Sequence, residues 1–169
     1  MLKHFLTLCM IAVAFGAVTE EFKTSSINKH NEYRAAHGVL NLVYNASLSE
    51  FAQKYADKLG GGAAYVHNPE SKANGFGENL SWFNNASKTG AQHVESLYTN
   101  EKAVYVWGKW CGTSEPNMAY YNYFGHYTQI VWKSTVSVGI GKSGGYVVYN
   151  YYPTGNIPGQ FKENVPCPT

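Results

Sequence analysis

The apolar residues of the C-terminal third repeat with a different period from those of the rest of the chain. Val136-Ser137-Val138-Gly139-Ile140 alternates at every second position, Gly141-Lys142-Ser143-Gly144-Gly145 supplies a turn, and Tyr146–Tyr152, YVVYNYY, is rich in β-branched and aromatic residues. That is the pattern of two strands joined as a hairpin. Upstream the period is helical. Leu48, Phe51, Ala52, Tyr55, Ala56 and Leu59 trace one apolar stripe, Ser47 and Glu50 form an S-x-x-E capping box ahead of it, and Gly60-Gly61-Gly62 ends it. Ser25-Ser26 is placed to cap an earlier helix, INKHNEYRAAH, that stops at Gly38. Residues 60–89 read as loop, and HYTQIVW fits helix or strand equally. Helices in the first two thirds and an antiparallel sheet in the last make an α+β chain, with helices packed on a small sheet.

One helix carries an anomaly. In His93–Tyr105, HVESLYTNEKAVY, the residues Val94, Leu97, Tyr98, Glu101 and Tyr105 share a face. Four are apolar or aromatic, and the fifth is a carboxylate. Glu101 either lays its stem along the core with its head in water or meets a partner inside. Glu95, off that face, is ordinary solvent decoration.

The first residues bear on redox compartment. Lys3 and His4 precede an apolar run from Phe5 to Phe15, and Ala14-Phe15-Gly16 offers small residues at a cleavage site. This is a secretory signal peptide pattern, too short to span a bilayer. Residues 1–16 are therefore expected to be a leader, with one domain over 17–169 that is secreted, extracellular and free of any transmembrane segment. Loss of the leader removes Cys9 and leaves Cys111 and Cys167, which in an oxidising compartment most simply form one disulfide, the alternatives being two free thiols or an intermolecular bridge. A net charge of +2 with no Lys/Arg cluster excludes nucleic acid as a natural partner. Three Asn-x-Ser sequences, at Asn45, Asn79 and Asn85, match the acceptor pattern for N-glycosylation, a pattern that so many asparagines also produce by chance.

Two of the five remaining histidines stand out. His67 precedes Asn-Pro-Glu at the edge of a Gly/Ala-rich loop, and His126 follows Gly125 at the start of YTQIVW. Glu78 sits among Gly75, Phe76, Gly77 and Leu80, a poor solvent face for a carboxylate. Buried carboxylates need partners, and imidazole N–H is a natural one. Two neutral imidazoles with a carboxylate and open positions also suit Zn²⁺ or a similar divalent ion, although no H-E-x-x-H or paired C-x-x-C is present and lone histidines are more often satisfied core residues.

Four motifs converge on a known family. Gly125–Thr135, GHYTQIVWKST, and Asn150–Asn156, NYYPTGN, resemble the two signatures of the CAP superfamily. That superfamily comprises the cysteine-rich secretory proteins, antigen 5 and plant pathogenesis-related proteins. His30-Asn31-Glu32-Tyr33-Arg34 is similar to its HNxxR, and Gly77-Glu78-Asn79-Leu80 to its GEN-L/I. Together they cover residues 27 to 166, and HNPES and FKENV resemble the short single-domain group that includes the Golgi-associated member. The resemblance implies a three-layer α-β-α sandwich whose cavity holds two histidines and two glutamates, here His67, Glu78, Glu101 and His126. It implies a divalent metal (Zn²⁺ being one candidate) on His67 and His126, not required for folding. Tyr98 replaces a family tryptophan three residues before Glu101, and Tyr149 replaces a family cysteine, which removes one disulfide.

The resemblance leaves function among three classes. In the first, the chain is a non-enzymatic binding protein for sterol or fatty acid, with Tyr120, Tyr121, Tyr123 and Phe124 in MAYYNYF as contact candidates and the histidine–glutamate cavity as a metal site. In the second, it is a protein-binding effector or immune modulator of the venom allergen-like kind, acting on a host or surface protein as a monomer or weak dimer, with the tetrad as a structural anchor. A metal-assisted hydrolase is the third, disfavoured because no serine or cysteine nucleophile stands in an evident motif.

Overall fold

The computed structural model describes residues 18–169; the leader expected over residues 1–16 lies outside them. Helix α1, Glu20–Ala36, begins earlier than expected. Thr19 Oγ1 accepts the Phe22 N–H at 3.2 Å, and Glu20 and Glu21 in the first turn complement the helix dipole. Ser25 and Ser26 therefore lie inside the helix, where Ser26 is buried. Helix α2, Ala46–Gly60, also takes a different cap. Asn45 Oδ1 holds the Leu48 N–H at 3.0 Å, so the S-x-x-E box at Ser47 and Glu50 does not form and both residues are exposed. The expected stripe is buried apart from Phe51, which is half-buried.

The stretch expected as loop contains helix α3, Pro69–Ala73, and strand β2, Gly77–Trp82. Helix α4, Gly90–Trp107, carries a capping box made by Thr89 and Gln92. A 3₁₀ turn, Met118–Tyr123, leads into helix α5, Gly125–Val131, which settles HYTQIVW as helical. The expected hairpin is present as β3, Ser137–Ser143, and β4, Tyr146–Tyr152; helix α6 is Phe161–Asn164. Strand β1, Val43–Tyr44, completes a four-stranded sheet in the order β1-β3-β4-β2, with β1 parallel to β3 and the other pairs antiparallel.

The sheet is buried on both faces, as in a sandwich. On one face Leu80 and Val148 pack on Ala52, Tyr55, Ala56 and Leu59 of α2. On the other, Val138, Ile140, Val147, Tyr149 and Tyr151 pack against α1, α4 and α5. Burial on both sides is why the alternation of β3 carries no solvent face. Helix α2 also covers the edge of β3 beyond β1. Ser49 Oγ accepts the Ile140 N–H at 2.9 Å, and the Gln53 amide bonds both the Lys142 N–H and its carbonyl, at 2.9 and 2.8 Å. An edge strand so covered offers no template for another chain.

Cys111 and Cys167 are joined, with Cα atoms 4.9 Å apart. The bond ties the loop after α4 to the C-terminal segment across 56 positions, which stabilises by about 3–4 kcal/mol. Tyr149, where the resemblance leads one to expect cysteine, is fully buried with its hydroxyl 3.3 Å from Ser26 Oγ. Among the described residues no helix is long and apolar enough to cross a membrane.

Candidate functional site

Strand β2 is the free edge of the sheet, and its first residues face both helical layers in turn. In register Glu78 pairs with Asn150, on the face that holds Leu80, Val148 and α2. Asn79 pairs with Tyr149, on the opposite face. A histidine–glutamate pair forms on each side. His67 Nδ1 donates to Glu78 Oε1 at 2.8 Å, and His126 Nδ1 donates to Glu101 Oε1 at 2.6 Å. Both imidazoles line one cavity of about 220 Å³, together with Glu78, Asn79, Tyr121, Asn122 and Gly125. The four candidate residues are thus brought together, and Glu101 points inward. Glu95 is exposed.

Each carboxylate is held from several directions. Glu78 Oε1 also accepts the Asn68 N–H at 2.9 Å, while Oε2 accepts Ser71 Oγ–H at 2.7 Å and Asn150 Nδ2–H at 3.4 Å. Proline at the start of α3 and the Asn68 cap fix the turn that presents these donors. Glu101 Oε2 accepts the backbone N–H groups of His126 and Tyr127, at 2.8 and 3.0 Å. A carboxylate has four acceptor positions, so Glu78 is filled and Glu101 nearly so. Neither is left as a free base or as a ready metal ligand. Among the described residues, no group of three or more His, Cys, Asp or Glu is arranged around a metal position.

The imidazoles are different. A carboxylate only accepts, so Nδ1 of each ring carries the proton. Nε2 of the neutral ring then holds a lone pair. His67 keeps 64% of its side chain exposed and His126 34%, so both reach solvent through the cavity. This carboxylate–imidazole arrangement fixes the tautomer and the orientation of each ring. The two Nε2 atoms are the donors that a divalent cation would take from this cavity, with water or ligand in the remaining positions.

Residues that sequence reasoning missed are the polar supports: Asn68, Ser71, Asn79 and Asn150. Asn79 Nδ2 donates both to the His126 carbonyl, at 3.1 Å, and to the Tyr151 hydroxyl, at 3.2 Å, which fixes the turn carrying His126. Ser71 stands four residues after His67 within HNPES, and that spacing is the signal that could have found it.

The aromatic candidates divide. Phe124 is fully buried beside Tyr105, Trp110 and Phe161 in the core, so it offers no contact surface. Tyr120, Tyr121 and Tyr123 are exposed on the 3₁₀ turn, with Met118 beside them. Tyr121 also lines the cavity, and its hydroxyl accepts from Asn156 Nδ2 at 2.9 Å. Tyr98 stacks on Tyr33 at 3.6 Å and places its hydroxyl 2.9 Å from His37 Nε2.

Comparison with known proteins identifies the family and the fold. The family model "CAP: Cysteine-rich secretory protein family" matches residues 27–156. Golgi-associated plant pathogenesis-related protein 1 of Homo sapiens is 32% identical over 156 residues, covering 88% of this chain and 95% of that protein. Pathogenesis-related protein 1C of Nicotiana tabacum is 31% identical over 158 residues, covering 90% and 88%. Among solved structures, that of NaASP2 with Zn²⁺ superposes with a TM-score of 0.66 at 20% identity, covering 87% of each chain. BmVAL-1 does so with 0.63 at 18%, covering 90% and 86%. At these identities the structures speak for the fold.

Proposed function

Since the chain belongs to the CAP, cysteine-rich secretory protein family, we propose that it is an exported, non-enzymatic binding protein that holds a divalent cation between His67 and His126. The observation that supports this most is the engagement of both carboxylates with Nδ1, which leaves two Nε2 atoms for one cavity. When bound, the cation supplies a Lewis-acid point charge for an oxygen of a ligand. The protein's own groups orient the two rings and hold their Nδ1 protons. Glu78 has no free acceptor position for abstracting a proton, which weighs against a hydrolase with that base. Zn²⁺ is the first cation to try, because a solved structure of this fold was determined with it. Isothermal titration with Zn²⁺ tests the reading: the native protein binds one equivalent, and a H67A/H126A variant binds none. Equal binding by both overturns it.

A second element of the same reading is lipid contact. Tyr120 is 50% exposed and Tyr123 61%, on a turn whose neighbouring Phe124 anchors it in the core. Rigid amphipathic rings at the surface suit a sterol or fatty acid. Saturable binding of labelled cholesterol or palmitate that falls in a Y120A/Y123A variant supports this; absence of saturable binding to either turns the reading toward a protein-binding effector. Export is tested by expressing the full chain in a eukaryotic host and sequencing the N-terminus of the secreted product, expected to begin near Ala17.

A further inference from the structure

The three Asn-x-Ser sequences are chemically alike, and the fold separates them. Asn79 is 1% exposed, and its Nδ2 donates to the His126 carbonyl and the Tyr151 hydroxyl inside the core. A sugar on that nitrogen would displace one of these bonds and fill packed space. Asn45 is half-buried, its Oδ1 caps α2, and Ala46 and Ser47 are already helical. Asn85 is exposed in the connection between β2 and α4. Asn85 Oδ1 accepts both the Ser87 N–H, at 2.9 Å, and Ser87 Oγ–H, at 2.6 Å, and its carbonyl accepts the Lys88 N–H at 3.3 Å. Asparagine bonded in this way to the residue two positions on forms a tight surface turn. Asn85 Nδ2 makes no hydrogen bond among the described residues.

We propose that Asn85 is a modification site that carries an N-linked oligosaccharide. The donor class is a polyprenyl-diphosphate-linked oligosaccharide. A bond forms between Asn85 Nδ2 and the anomeric carbon of the first sugar as the bond from that carbon to the diphosphate oxygen breaks. The diphosphate leaves with the electron pair, and one Nδ2 proton passes to a base of the transferase. The product is a bulky, solubilising group on the surface between β2 and α4. A chain with only 14% charged residues gains most from such a group. The proposal rests on the export reading above, since the donor and transferase are met on the secretory route.

The test is expression of the full chain in insect cells, with the secreted protein treated with peptide N-glycosidase F. The expected result is one gel shift on treatment, conversion of Asn85 to Asp in the peptide mass spectrum, and loss of the shift in N85Q and in S87A but not in N45Q. A secreted protein with no shift, or a shift that is lost in N45Q and kept in N85Q, overturns the proposal. If the full chain stays in the cells, the export reading fails by itself. Residues 17–169 behind an established secretion leader then decide the modification by the same shift, its presence supporting the site and its absence overturning it.

Discussion

His30 Nε2 lies 2.8 Å from the hydroxyl of Tyr151, and His30 Nδ1 lies 2.8 Å from the Ser26 carbonyl. A carbonyl only accepts, so Nδ1 carries the proton and the Tyr151 hydroxyl donates to Nε2. Tyr151 oxygen then accepts from Asn79, whose amide also holds the His126 carbonyl. A directed chain of hydrogen bonds thus runs from α1 to the turn that carries His126, and it requires His30 to be neutral.

Acid should therefore loosen this fold through its buried histidines. Burial pulls the pKa of His30 down to about 4, and Arg34 nearby adds to the effect. Burial does the same to His93, also to about 4, with Lys142 and Lys88 contributing. In the unfolded chain both titrate near 6.5, so between pH 6.5 and 4 the unfolded state binds more protons. The stability from keeping these rings neutral is full above pH 6.5 and lost as pH falls toward 4, about 3 kcal/mol for each ring. Urea unfolding midpoints are expected to fall steadily from pH 7 to pH 4.5; burial lowers the pKa of His37 as well, so H93Q should remove roughly a third to a half of the slope. A midpoint that stays flat over that range contradicts the argument.

The contact between α2 and β3 predicts an unusual intolerance of the smallest substitution. A Cβ on Gly139 would lie 2.3 Å from the Leu48 carbonyl carbon, and one on Gly141 2.4 Å from that of Ala52. Both obstacles are backbone, so no rotamer relieves them. G139A and G141A are each expected to cost about 3 kcal/mol, at the upper end of overpacking effects. G144A, at a turn with φ of +57° and nothing within 4 Å of the added atom, meets only the backbone penalty, about 1 kcal/mol. Thermal melts of the three variants check the order, and equal melting of all three would refute it.

This contact also shows where the sequence was legible. The stripe of α2 and the hairpin of β3 and β4 were visible because apolar period and secondary structure agree there. Strand β2 was hidden because Glu78, Asn79 and Ser81 are polar residues bonded to partners distant in sequence, so no apolar period marks it. HYTQIVW was ambiguous because every residue of α5 except His126 is buried, which erases the periodicity. The caps were misplaced because several Ser, Thr and Asn residues compete at each helix start, and tertiary contacts choose among them. The helix alone placed Glu101 on the apolar face but left open whether its head reached water, and the motif resemblance supplied both the inward direction and the partner. Of the polar supports of Glu78, Ser71 was marked only by its spacing from His67, and Asn68 and Asn150 had no such signal.

Arg34 makes a case for geometry over charge. It is fully buried with no carboxylate partner among the described residues, and donates to the carbonyls of Leu40, Ile130, Trp132 and Thr135 at 2.7 to 2.9 Å. These bonds clamp the end of α5 and the start of β3 onto α1. A lysine carries the charge but has one nitrogen and three donors, so it cannot reach four divergent carbonyls. R34K is expected to cost about 3 kcal/mol through the carbonyls left unpaired. Chemical denaturation of R34K beside R34M checks it; a lysine variant as stable as the native protein would show that charge suffices.

The role given to the two glutamates has its own signature. If they orient the rings, E101Q should weaken Zn²⁺ binding by about 10–100-fold while leaving both histidines in place, the range expected for loss of a carboxylate behind a metal-binding imidazole. Glutamine still accepts one hydrogen bond but lacks the charge that a carboxylate places behind a metal-binding imidazole. It also turns an amide N–H toward a site where three donors already converge. Stability is a separate readout, so melting of E101Q without metal must be measured beside the titration. Weakened Zn²⁺ binding with His126 still ordered by NMR supports an orienting carboxylate. Unchanged affinity would mean that the glutamate serves only to hold the first turn of α5.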